Sequence, residues 1–295
     1  MTPIVVPLPG NEKLAAGIAA AGDFELGRIE TRRFPDREAY VRFKFDPEGR
    51  KVVLVCSLND PDPKLMTLLL SSATARRLGA MQVGLVAPYL AYMRQDRRFH
   101  DGEALSAVEF ARVLSGELDW LATIDPHLHR IRALDEIYSI PSEALHAGPL
   151  LAEWIRANIR SPLLIGPDAE SEQWVAAAAR GARAPYVVAR KTRSGDRDVR
   201  VAIPDLKEWH AHTPVLLDDV VSSGRTLLVS ANELHARGTK KPAIVVVHGI
   251  FADGVFPRLA DLCDPIATVN TIEHETNRID AVPLLAGAVS RLGSA

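Results

Sequence analysis

The feature that most constrains the fold is a repeated alternation, in which apolar runs of strand length are separated by longer stretches with helical spacing of apolar residues. "KVVLVCSL" at 51–58 and "MQVGLVAPY" at 81–89 flank "DPKLMTLLLSSATARRLGA", and "LDWLATIDPH" at 118–127 follows "SAVEFARVLSG". Short apolar strands joined by amphipathic helices are the repeating unit of a parallel sheet with crossover helices. A second series begins after the Pro- and Gly-punctuated stretch "IPSEALHAGPLLAEWIRANIR", with strands at "SPLLIGPD", "APYVVARK", "TPVLLDDV" and "PAIVVVHGIF". A chain of 295 residues also exceeds the size at which a single core grows efficiently. The sequence therefore predicts two successive α/β domains, residues 1–146 and 147–295, each with a mainly parallel sheet flanked by helices. The halves share little visible sequence, so any duplication would rest on architecture.

Composition narrows the function classes. With 47% hydrophobic and 24% charged residues the chain reads as an ordinary globular protein. A formal net charge of -2 argues against a dedicated nucleic-acid binder, which usually carries a basic face or tail. Cys56 and Cys263 stand in different halves without CxxC spacing, so neither a disulfide framework nor a zinc site is expected, and a reducing cytoplasm fits. The N-terminus "MTPIVVPLPGNEKLA" lacks a basic region followed by a long apolar stretch, and no segment approaches the roughly 18 apolar residues of a membrane span. The expectation is a soluble, cytoplasmic protein with no membrane partner.

Several strands end in acids where the chain turns into a helix, as at Asp168 and at Asp218 with Asp219. Ligands of open α/β sheets bind at those carboxyl ends. In "VLLDDVVSSGRTL" (215–227) the strand is expected to end at the acids, and the serines with Gly224 to form a tight loop before the helix "TLLVSANELHARG". Backbone N–H groups at that helix start, with the hydroxyls of Ser222, Ser223 and Thr226, suit a phosphate. The acids would repel a phosphate, so they suit sugar hydroxyls or a divalent metal, bound directly or through water. A lone pair of acids would read as a solvated strand end followed by an N-cap serine.

The full string, an apolar run, two acids, small polar residues, glycine and threonine, closely resembles the phosphoribosyl-pyrophosphate loop of the type I phosphoribosyltransferase fold. "APYLAYMRQDRRFHDGEALSA" (87–107) resembles the signature of the ribose-phosphate pyrophosphokinase family. Further pieces follow in that family's order: "FPDREAYVRF", "TIDPHLHRI", "GPDAES", "ARKTRSGDRDVRV", "VVVHGIF" and "NTIEHETNRIDAVPLLAGAV". The likeness spans nearly the whole chain, and Ser222 in the sugar loop is similar to archaeal-type members.

The resemblance implies two tandem phosphoribosyltransferase-like domains, the first with the ATP-site elements and oligomer contacts and the second with the ribose 5-phosphate and catalytic loops. It implies transfer of pyrophosphate from Mg²⁺-ATP to the anomeric hydroxyl of ribose 5-phosphate, with AMP released. Asp218, Asp219, Ser222, Ser223, Gly224, Arg225 and Thr226 would hold ribose 5-phosphate. Lys191 and Arg193 would be the catalytic cations, on a mobile loop that closes over the triphosphate; the residues alone read equally as an exposed basic hairpin. His127 and Asp168 match the metal-coordinating pair, with Asp168 the more natural Mg²⁺ ligand. His129 and His100 are left as surface residues, and Asp125 as a residue that orients His127 or acts through water.

Phe34, Asp36 and Glu38 resemble the loop that holds adenine, and Arg94, Gln95 and Asp96 would complete the ATP pocket, with Arg94 reaching phosphate. In the family the Phe34 loop serves ATP bound to a neighbouring subunit, which implies a homodimer or higher homo-oligomer. Two rival readings remain: a phosphoribosyltransferase acting on a base, and a catalytically silent regulatory homologue. The sequence departs from the family pattern at Arg37, where glycine is usual, at Leu128 and Arg130, where small and amide residues are usual, at "DAES", which lacks a glycine, and at Arg225, which replaces the second glycine of the sugar loop.

Overall fold

The structure, a computed structural model, describes residues 2–98, 100–168, 171–194 and 198–294, with only the backbone described at 191–194, 198–200 and 253. Two units divide it: Met1–His146 with Ala281–Ala295, and Ala147–Asp280.

The first unit contains β1 (Ile4–Pro7), α1 (Glu12–Gly22), β2 (Glu25–Leu26), β3 (Ile29–Arg33), β4 (Ala39–Phe43), β5 (Lys51–Val55), α2 (Pro61–Arg77), β6 (Gln82–Ala87), α3 (Ser106–Glu117), β7 (Trp120–Ile124) and β8 (Ser142–Leu145). Its sheet runs β2-β1-β5-β6-β7-β8, with every pair parallel. Val52, Val53, Leu54 and Val55 are all buried, which explains the uninterrupted apolar run of β5. Gly84 and Trp120 are register partners on β6 and β7, and a Cβ at Gly84 would meet Trp120 Cε2 at 1.9 Å, so the missing side chain makes room for the indole. Outside this sheet β3 and β4 form an antiparallel hairpin whose tip is residues 34–38.

The second unit contains α4 (Gly148–Asn158), β9 (Pro162–Gly166), α5 (Glu172–Ala182), β10 (Tyr186–Val188), β11 (Arg190–Ser194), β12 (Asp198–Ala202), β13 (Thr213–Val221), α6 (Arg225–Ala236), β14 (Ala243–Gly249), α7 (Val255–Leu262), β15 (Ile266–Val269) and β16 (Asn277–Ile279). Its parallel sheet runs β10-β9-β13-β14-β15-β16, and β11 with β12 forms a separate antiparallel hairpin. Strand for strand this is the order of the first unit, with a hairpin inserted at the same place between the second and third strands of the sheet. The duplication is thus present in topology, though not visible in sequence.

Two expectations are corrected. The second unit does not run to the C-terminus: α8 (Val282–Leu292) packs on α1, β7 and β8 of the first unit. It buries Leu285, Ala286, Ala288 and Val289, with Val282 Cγ2 2.9 Å from where a Cβ on Gly17 would sit. Arg291 also pairs with Glu143 at 2.6 Å, and Lys51 Nζ donates to the Gly293 carbonyl at 2.6 Å. "APYVVARK" is not one strand: the Ala189 N–H donates to the Gly166 carbonyl at 3.0 Å, and the chain then leaves the sheet for the β11–β12 hairpin. Among the described residues no helix is long and apolar enough to cross a membrane.

Candidate active site

In the second unit β9 has β10 on one side and β13 on the other. The carboxyl ends of β9 and β13 therefore flank the point where the winding of the sheet reverses, which is where open α/β sheets bind ligands. Asp168 stands just beyond β9 and the acids stand on β13. The strand does not stop at Asp218 and Asp219 as expected: Val220 and Val221 still pair with His248 and Gly249 of β14, so the turn begins at Ser222. Both acids are half-buried, and the Asp219 N–H donates to Asp218 Oδ1 at 3.0 Å.

Gly224 adopts φ +63°, and a Cβ there would lie 2.7 Å from Val255 Cγ2. Only glycine makes this turn without strain. No side chain caps α6, and its first backbone bond runs from Leu228 N–H to the Gly224 carbonyl at 2.9 Å. The N–H groups of Arg225, Thr226 and Leu227 are thereby left facing the end of the helix, a ready site for an anion. Ser223 and Arg225 are exposed, and Ser222 and Thr226 half-buried. The loop is pinned from behind, since the Val221 carbonyl accepts from Ile250 and Phe251 N–H (2.9 and 3.0 Å) and the Ser222 carbonyl from Ala252 N–H (3.1 Å). Phe251 and Phe256 in turn pack on the His274 ring at 4.6 and 4.8 Å, and burial there holds the imidazole below its ordinary pKa.

Asp168 is half-buried, and its Oδ1 accepts from the Ser171 N–H at 3.2 Å while its carbonyl accepts from Ser171 Oγ at 2.6 Å. These bonds tie Asp168 to Ser171, just ahead of α5. Lys191 and Arg193 are expected on a mobile loop, but their backbone belongs to β11, paired with Val201 and Val199 of β12. Their side chains lie outside the described residues.

The remaining candidates lie in the first unit. At the β3–β4 tip the Phe34 N–H donates to the Glu38 carbonyl and the Arg37 N–H to the Phe34 carbonyl (2.9 and 2.8 Å). Arg37, standing where glycine was expected, takes φ +73°. The Arg33 guanidinium braces it by donating to the Arg37 carbonyl at 2.8 Å. Asp36 Oδ1 accepts from the Glu38 N–H at 3.2 Å. Phe34 is 38% exposed and is not a core residue. The Arg32 guanidinium carbon lies 4.4 Å from the Phe34 ring centre and 4.3 Å from that of Tyr40. Arg32 went unnoticed in the sequence, where only its closeness to Phe34 marked it.

Arg94 and Gln95 are exposed. Gln95 is tied to the start of α3, its carbonyl accepting from Ala107 N–H at 3.3 Å and its Oε1 from Ser106 Oγ at 2.5 Å. The Asp96 side chain is 4% exposed and ion-paired with Arg130 at 3.2 Å. His127 and His129 pack edge to face with ring centres 4.2 Å apart, and His129 is exposed, as expected of a surface residue. Asp125 accepts from His146 at 3.0 Å, a hydrogen bond that raises the His146 pKa above its ordinary value.

His127 belongs to the first unit and Asp168 to the second. Among the described residues no three His, Cys, Asp or Glu side chains gather into a metal cluster. The carboxylates of Asp168, Asp218 and Asp219 are the hard oxygen donors that Mg²⁺ accepts while keeping several waters, so the residues of the second unit fit that ion.

Comparison with known proteins bears directly on these elements. The chain is 30% identical over 287 residues to the ribose-phosphate pyrophosphokinase of Methanothermobacter thermautotrophicus, covering 96% of this chain and 98% of that one. The chain belongs to the ribose-phosphate pyrophosphokinase family. It is accordingly an enzyme, with ribose-phosphate pyrophosphokinase function. The family's N-terminal domain matches residues 4–116, which include the β3–β4 tip and Arg94–Asp96, and a phosphoribosyl transferase domain matches 133–258, which include Asp168, β11 and the β13–α6 loop. The pyrophosphokinase of Methanopyrus kandleri is also 30% identical, over 98% of this chain and 99% of its own. The crystal structure of a phosphoribosylpyrophosphate synthetase from Mycobacterium smegmatis superposes with a TM-score of 0.86 at 24% identity, covering 99% of both chains, which establishes the shared two-domain fold.

Proposed function

We propose that this pyrophosphokinase transfers the β,γ-pyrophosphoryl group of Mg²⁺-ATP to the anomeric hydroxyl of ribose 5-phosphate, giving 5-phosphoribosyl 1-pyrophosphate and AMP. The observation that carries this reading is the uncapped start of α6 behind Gly224, with two carboxylates just ahead of it on β13. An anion site and a hydroxyl-accepting site one loop apart suit the two ends of a sugar phosphate. The N–H groups of α6 with Ser222, Ser223, Arg225 and Thr226 hold the 5-phosphate, and Asp218 with Asp219 accepts from the ribose hydroxyls.

The O1–Pβ bond forms as the bond from Pβ to the α,β-bridging oxygen breaks. AMP leaves with that oxygen, and the anomeric hydroxyl gives up its proton. Catalysis of such a transfer is positioning and charge stabilisation. Lys191 and Arg193 supply fixed cations to the developing charge, from a hairpin rather than a loop. Phe34, Asp36 and Glu38 receive the adenine, Arg94 and Gln95 the rest of the nucleotide, in a homodimer or larger assembly. Asp168 in the second unit would be a ligand to Mg²⁺, which would supply charge neutralisation at the phosphates; in the first unit His127 is the residue read as metal-coordinating. Two buried, unpaired cysteines support a reducing, cytoplasmic setting.

Incubation with ribose 5-phosphate, Mg²⁺ and each nucleoside triphosphate in turn tests the proposal, with AMP and the pyrophosphorylated sugar resolved as products. Both should form in equal amounts from ATP. Base-dependent pyrophosphate release without ATP would install the phosphoribosyltransferase reading instead, and an inert protein that binds both substrates the regulatory one.

A further inference from the structure

We propose that Asp96 is a positioning residue, which holds the turn carrying His127 in place through Arg130. The proposal rests on the reading of His127 as a metal-side residue of pyrophosphoryl transfer. A carboxylate with a 4% exposed side chain is tolerable only if it is paired and hydrogen-bonded. Asp96 meets that condition entirely on the far side of a 34-residue separation: Oδ2 accepts from the Arg130 backbone N–H at 3.1 Å and Oδ1 from its guanidinium at 3.2 Å. One side chain thus fixes both the backbone and the side chain of the residue three positions after His127.

The tether is anchored at its other end. Gln95, next to Asp96, is bound to Ser106 and Ala107 at the start of α3, so the loop that carries the carboxylate is tied to a helix. Between Arg130 and His127 the turn is filled by His129, whose ring packs edge to face on that of His127 at 4.2 Å. A shift of residue 130 therefore moves the histidine pair. Arg130 is one of the chain's own departures from the family pattern, and its guanidinium supplies a charge to the buried carboxylate that an amide does not.

Outer partners that orient a metal-side residue typically carry about 10- to 100-fold in metal affinity or activity. The test uses the full chain with three variants: Asp96→Asn, which keeps an acceptor for the backbone N–H, Arg130→Gln, and the pair together. Turnover, half-saturating Mg²⁺ and ATP affinity are measured, along with the imidazole NMR signals of His127 in the metal-free protein. Each single variant should lower turnover or raise the Mg²⁺ requirement about tenfold, leave ATP affinity nearly unchanged and shift the His127 signals. The double variant should lose no more than the worse single one, because both remove one contact. The proposal is overturned if Asp96→Asn weakens ATP binding while Arg130→Gln is silent, if the two losses multiply, or if the His127 signals stay put. Should Asp96→Asn fail to fold, Arg130→Gln, at a half-exposed side chain, decides alone. Failure of the wild-type protein to convert ATP and ribose 5-phosphate would sink the functional reading, while the His127 signals would still decide the positioning role.

Discussion

Val255 occupies the space that a side chain on residue 224 would need: its Cγ2 lies 2.7 Å from the Cβ position of Gly224, whose φ is +63°. The glycine is required twice, once by backbone and once by packing. Gly224→Ala should cost about 1–2 kcal/mol for the left-handed backbone alone. It should also move the N–H groups of α6 off their target. Thermal melting should show the loss of stability, and calorimetry should show ribose 5-phosphate affinity falling well ahead of ATP affinity.

Asp219→Ala or Ser223→Ala should weaken ribose 5-phosphate binding by about 1.5–3 kcal/mol, the scale of a charge-assisted hydrogen bond, and leave ATP binding largely intact. Titration of each substrate separately checks this. Equal losses for both would place the sugar elsewhere.

Lys191→Ala should bind both substrates nearly as before and lose turnover by roughly two to three orders of magnitude, the scale of one charge-stabilising donor. Arg193→Ala should act similarly, and the double variant should lose less than the product if both cations meet the same charge. Rates at saturating substrate, set beside equilibrium binding, separate the two effects. A fully active Lys191→Ala protein would remove β11 from the mechanism.

The bond to Asp125 raises the His146 pKa, so the folded state holds that proton more tightly than the unfolded chain does. The stabilisation is fully present below the unfolded value, near 6.5, and is lost as pH rises through the folded one. His146→Ala should therefore lower the urea midpoint near pH 5.5 and match the wild type near pH 8.5. A midpoint difference independent of pH would remove the pair from the titration.

The sheet strands were legible because parallel strands buried on both faces carry long apolar runs, as residues 52–55 of β5 and 243–247 of β14 do. The two hairpins lie outside those sheets and carry polar, charged sequence, so periodicity said little: β3 was missed, and β11 was read equally as a mobile loop and as the exposed basic hairpin that its backbone forms. The docking of α8 on α1 was equally hidden, because an amphipathic helix does not declare which sheet it covers. Among the site residues, the β13–α6 loop was legible because its chemistry is local to one stretch of chain. The pairing of Asp96 with Arg130 was not legible because the partner is 34 residues away: a short motif gives residue types, and only the fold shows which of them meet.

The matching strand orders of the two sheets make the loop after β5 the topological counterpart of the loop after β13. In the first unit that loop leads into a helix beginning Pro61, Asp62, Pro63, where two residues lack an N–H and one carries a negative charge. Lys64 folds back on it, donating to the Ser57 carbonyl and Asn59 Oδ1 at 2.8 and 2.7 Å. The helix start of the first unit therefore offers fewer N–H groups than that of α6. The hairpins differ as well, carrying an aromatic ring in one half and lysine with arginine in the other. Under the proposed assignment, one strand plan written twice in one polypeptide would divide two substrates between its copies.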